Sequence, residues 1–185
     1  MDEKLTQTRA GAGYLLRALI LGVLASWVAL AFNVVGAITL GTTAPHLLKL
    51  LRVYATFFHG EPALTGEMSG GLVILISFLL YTTTGAVVGA PLTLVYERRF
   101  GTHGWYMRVI DGAWIGILMW VISFYGVLSW LQPLALRVVG YADEPRAFIP
   151  EHIPIWVGVA THICFVESVL VLGRIRSGGP DQAKG

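Results

Sequence analysis

IPIWVGVATHICFVESVLVLG, residues 153–173, is the stretch that decides the fold. It is about 20 residues long, and a helix rising 1.5 Å per residue needs that length to cross the roughly 30 Å hydrocarbon core of a bilayer. His162 stands near its midpoint, and Glu167 follows on the inward side. Ionisable groups at such depth are costly and face protein or water rather than lipid.

Three further apolar segments, 14–40, 71–96 and 105–131, are longer still. The composition agrees with them. The chain has 185 residues, 55% of them hydrophobic and 13% charged, with a mean hydropathy of +0.68. Soluble chains carry roughly 25% charge, so this one has too little to cover a water-facing surface. The fold class that follows is an all-α integral membrane protein of one domain. It is a four-helix transmembrane bundle with an additional amphipathic interfacial helix in the first outer loop. The apolar run from 18 to 40 exceeds the 7–15-residue core of a cleaved signal, so the first segment reads as a retained span.

Basic residues set the orientation. Lys4, Arg9, Arg17, Arg98, Arg99, Arg108, Arg174, Arg176 and Lys184 fall on one side, against Lys49, Arg52, Arg137 and Arg146 on the other. Such an excess marks the cytoplasmic side. Both termini, the 174–185 tail and the short link ERRFGTHG (97–104) are therefore expected inside, in a plasma (inner) membrane. The shortness of that link predicts that the second and third spans are antiparallel neighbours. Trp105, Tyr106, Trp130 and Trp156 sit near the expected interfaces, as aromatic belts do.

In the first outer loop, residues 44–59 place His46, Lys49, Arg52, Thr56 and His59 at spacings of three and four, along one helical face. Thr43 can cap this helix, Pro45 suits its first turn and Gly60 can end it. Its leucines and aromatics cover much of the remaining circumference, so it is expected along the outer membrane interface or against a partner's membrane surface. The second and third spans each carry glycines four apart, Gly85/Gly89 and Gly112/Gly116, spacing that lets helix backbones approach closely. Their similar depth predicts that the two pairs touch each other. Pro91 should kink the second span, and Ser69-Gly70-Gly71 forms the turn that opens it.

The candidate chemistry is sparse. Asp111 and Glu167 reach similar depth, and Arg17 and Arg108 can send their guanidinium groups towards them. With His162 they form an expected intramembrane polar cluster, read as a structural ion-pair network or as a proton- or ion-handling site. A bis-histidine haem would need a second histidine on another span, but His46, His59, His103 and His152 all lie in loops or the surface helix, so no cofactor is expected. On the outer side stand His46, His59, Glu61, Glu67, Asp143, Glu144, Glu151 and His152. Imidazole and carboxylate can hold zinc or copper, with His59, Glu61 and His152 as metal candidates, but no His-x-x-x-His spacing pre-organises them. The single cysteine, Cys164, rules out an intrachain disulfide, CxxC chemistry and thiol-oxidising activity. No phosphate-binding glycine loop or serine nucleophile elbow occurs, and no polar cluster assigns to quinone or lipid chemistry.

The first functional expectation is a non-catalytic accessory subunit of a larger membrane complex. Bacterial respiratory and other energy-converting assemblies are where such subunits are common. An alternative is a small oligomeric transporter or channel with Asp111, Glu167 and His162 lining its path. A third is a membrane metal-handling protein or enzyme using the outer histidines. The expected partners are lipid and other membrane subunits or further copies of the chain. A net charge of +2 is too small to argue for nucleic acid.

Overall fold

The computed structural model describes residues 2–39, 44–140 and 146–177. Thr43, Asp143, Glu144 and Lys184 lie outside the described residues, as do the side chains of Lys4, Arg9, His46, Lys49, Arg174 and Arg176. The described chain is helical, with no strand: α1 (Asp2–Thr39), α2 (Ala44–His59), α3 (Pro62–Thr65), α4 (Gly70–Phe100), α5 (Trp105–Val121), α6 (Ser129–Val139), α7 (Phe148–His152) and α8 (Ile155–Ser177). A π-helical stretch, Ile122–Leu128, joins α5 to α6 without a break. Four helical segments are long and apolar enough to cross a membrane: Ala12–Gly36, Gly70–Phe100, Trp105–Val139 and Ile155–Gly173.

The third span is longer than its sequence suggests. Gln132 and Pro133 end the apolar run, yet the helix continues to Val139. Gln132 and Leu136 are buried there, because α2 and α7 cover this part of the helix. A polar residue that ends an apolar pattern need not end a helix when another element hides it. α4 likewise runs on through Pro91. At the expected entry turn Ser69 also caps the helix, accepting a hydrogen bond from the Leu72 N–H at 3.4 Å.

α1 is the spine. Ala18, Gly22, Ala25, Ala29 and Asn33 recur every three or four residues, and all are buried. This stripe of small side chains lets both α4 and α8 lie close against it. α5 packs on the far side of α8, so the spans run in the spatial order α4, α1, α8, α5. Ala25 and Ala29 meet Tyr96, Phe165, Val166, Val169 and Leu170 in the main core.

Two expectations are corrected here. α4 and α5 scarcely touch along their lengths, although a short turn joins them. The glycine pairs do not meet each other either. A Cβ at Gly85 or Gly89 would run into Ser26 and Gly22 of α1, whereas one at Gly116 would lie 2.6 Å from the Ile163 Cα of α8. Each pair draws its helix to a different partner, which pulls α4 and α5 apart.

The polar face expected on α2 is corrected too. Thr56 is fully buried, and Arg52 donates to the carbonyl oxygens of Ala63 (3.0 Å) and Met68 (3.2 Å). Arg52 thus binds α3 and the chain leading to α4, and Thr56 accepts from Gln132 of α6, instead of facing solvent. The free main-chain carbonyls of that turn need a donor, and Arg52 supplies it. Gly60, at φ +56°, ends α2 in the left-handed region that glycine tolerates best.

Candidate functional site

The gap between α4 and α5 is a cleft of about 320 Å³. Tyr81 and Thr84 of α4 form one wall; Ser123 and Phe124 of the π stretch form the other. Ala29 of α1 with His162 and Phe165 of α8 close its back, and Tyr54 and Phe57 of α2 roof one end. Its surface is mostly apolar, and no Asp, Glu, Lys or Arg among the described residues lines it. Apolar clefts with a few convergent polar groups are the usual form of a small-molecule site.

Those polar groups come from four helices. The Thr161 hydroxyl on α8 lies 2.9 Å from Asn33 Oδ1 and 2.7 Å from the Val157 carbonyl oxygen, which share its one proton, and Asn33 Nδ2 donates to the Tyr81 hydroxyl (3.0 Å). The Tyr81 hydroxyl in turn donates to that of Tyr54 (2.8 Å), the two rings meeting edge to face at 4.8 Å. A phenol has one proton to give. Tyr81 spends its proton on Tyr54, so the Tyr54 proton has no acceptor among the described residues. If the two hydroxyls exchange roles, the surplus proton sits on Tyr81 and still borders the cleft. Burial pushes the Tyr54 phenol above its ordinary pKa, which keeps that proton in place at neutral pH.

His162 supplies the complement. Its Nδ1 lies 2.8 Å from the Gly158 carbonyl oxygen. A carbonyl only accepts, so Nδ1 carries the hydrogen and Nε2 of the neutral ring is left as an acceptor. The Phe124 ring stands edge-on to the imidazole at 5.8 Å. Beside it, the Trp120 indole N–H is buried without a partner among the described residues. It lies against Gly158, where a Cβ would come within 2.7 Å of Nε1.

The expected polar cluster does not assemble as one group. Arg108 pairs with Glu97 (2.9 Å) and also donates to the carbonyl oxygens of Gly101, His103 and Leu170. Asp111 accepts from the Tyr96 hydroxyl at 2.7 Å and lies 2.8 Å from His103 Nδ1. This network ties the α4–α5 turn to α8. Arg17 caps the Gly173 carbonyl at 2.9 Å. Glu167 lies over Gly112, and no hydrogen-bond or ion-pair partner for it occurs among the described residues; a Cβ at that glycine would be 2.6 Å from the Glu167 Cδ. Asp111, Glu167 and His162 thus occupy three separate places, and only His162 reaches the cleft.

The outer metal candidates are not brought together. Among the described residues no group of three His, Cys, Asp or Glu side chains converges. Glu61 and Glu151 flank Arg146, each at 3.9 Å, and His152 Nδ1 bonds the Phe148 carbonyl at 2.9 Å. Gln132 does the joining at this end, donating to Thr56 (3.1 Å) and accepting from the Ile149 N–H (3.0 Å).

Sequence reading passed over Tyr54, Tyr81, Asn33, Ser123 and Gly22. A signal for Gly22 was present, since Gly22 and Ser26 are a small pair four apart. Nothing in ISFYGVL marks a π-helical stretch, and π geometry is often found at functional sites. No protein-family model, curated protein or solved structure matches the chain, so the chemistry of the cleft is read from its own residues.

Proposed function

We propose that this chain is a non-catalytic accessory subunit of a larger membrane assembly. Its four spans cross the membrane with both termini cytoplasmic, and α2 lies along the outer interface. An energy-converting complex of a bacterial plasma membrane is a natural setting for it.

The observation that carries this reading is Trp114. Nine residues past Trp105, it lies about 13.5 Å along α5, near the middle of a hydrocarbon core. It is 70% exposed, and its indole N–H has no acceptor among the described residues. Tryptophan favours membrane interfaces, and lipid tails offer an N–H nothing to bond. Leu118, Val121 and Tyr125 continue the same exposed stripe. An aromatic-centred helical face of this kind suits a neighbouring protein helix, where tryptophan and tyrosine act as anchors.

Native purification in mild detergent, with mass spectrometry of everything that co-migrates, tests this. Stoichiometric larger subunits are expected, and Trp114→Leu should release them while the purified chain keeps its helicity. Migration of the wild-type chain by itself, as a homo-oligomer, would refute the proposal.

A further inference from the structure

The geometry points to a binding site in the α4–α5 cleft for an uncharged ring-carbonyl amphiphile of the quinone class. A ring oxygen would sit on the Tyr54 hydroxyl and the apolar tail would follow the cleft. The site is contained in this chain and does not depend on what covers Trp114.

Charge excludes an ionic lipid headgroup, because no charged side chain among the described residues lines the walls to meet one. What fits is neutral and mostly apolar, with at least one oxygen. Five aromatic side chains contribute to the lining, Tyr54, Phe57, Tyr81, Phe124 and Phe165, and such walls favour a flat ring over a flexible acyl chain.

The hydrogen-bond count is specific as well. The chain Asn33–Tyr81–Tyr54 delivers one unspent phenolic proton to the cleft, and His162 retains one unspent acceptor, Nε2. A ring carbonyl oxygen can accept from the first, and once the ring is reduced its hydroxyl can also donate to the second. Hydrogen bonds made within an apolar cleft add to binding, so an occupant that can make them is favoured over a plain hydrocarbon. Ser123 and Phe124 are aimed by the π stretch, whose wider turn departs from the register that an ordinary helix would impose.

The test uses the full chain in lipid nanodiscs with an arylazido-benzoquinone bearing a ten-carbon tail, irradiated and mapped by peptide mass spectrometry. Saturable labelling is expected within residues 80–88 or 119–128. Decyl-benzoquinone should compete for it, and palmitic acid should not. Tyr54→Phe should raise the half-saturating concentration about 3–10-fold, the worth of one hydrogen bond. Ser123→Phe, which fills the cleft, should abolish labelling while the variant still melts cooperatively. Label spread along the outer faces of the spans, or equal competition by palmitic acid, overturns the proposal whether or not either variant folds. So does unchanged labelling in a folded Ser123→Phe or Tyr54→Phe protein.

Discussion

Gly116→Ala adds a single methyl group where α5 crosses α8. The new Cβ would lie 2.6 Å from the Ile163 Cα and 2.9 Å from its nitrogen. Both are backbone atoms, so no side-chain rotation relieves the contact. Ordinary contact begins near 3.4 Å, and the two helices must part by the better part of an ångström. Overpacking of this kind costs about 1–3 kcal/mol. Alanine also favours a helix over glycine by up to about 1 kcal/mol, which masks part of the loss. Gly13→Ala in α1 is the matched control, since a Cβ there meets nothing within 4 Å and gains the same propensity. The two variants should therefore differ by about 1–3 kcal/mol, or roughly 2–12 °C in melting temperature for a chain of this size. Thermal unfolding followed by circular dichroism in one detergent measures the difference. Equal melting temperatures would refute the close-packed α5–α8 seam.

Arg108→Leu should strand Glu97 and free three carbonyl oxygens, costing about 3–5 kcal/mol; limited proteolysis at the 101–104 turn should then accelerate. Arg108→Lys should recover only part of that, because an ammonium group cannot reach acceptors on both sides as the guanidinium fork does. Gln132→Leu leaves the buried Ile149 N–H unpaired and should destabilise the α2–α6–α7 junction by about 1–3 kcal/mol. Amide exchange at Ile149 should speed up while exchange in α1 is unchanged. For the proposed orientation, Thr102→Cys on a Cys164→Ser background should react with an impermeant maleimide in inside-out vesicles but not in right-side-out ones.

The separation between legible and illegible features follows physical range. Hydropathy and length are properties of consecutive residues, so the four apolar helices, the turn that opens α4 and the Gly60 stop could be read directly. The α2 pattern was legible as a helix but misread as to its facing. Arg52 and Thr56 look like a wetted stripe until the carbonyls of residues 63 and 68 and the Gln132 amide appear opposite them. The glycine pairs announced close approach without naming the partner. Nothing local distinguishes a seam with α1 from one with α5.

By itself the sequence determined an all-helical chain with four segments able to span a membrane, because apolar surface and helix length are additive along the chain. Tertiary structure alone decided that α4 and α5 stand apart, that Tyr54, Tyr81, Asn33 and Thr161 share one hydrogen-bonded chain, and that His162 opens onto a cleft while Asp111 does not. The physical reason is that apolar helices are nearly interchangeable as neighbours. Which of them touch is settled by sub-ångström fits such as Gly22 on Gly89 and Gly116 on Ile163, and those fits exist only once distant residues have met.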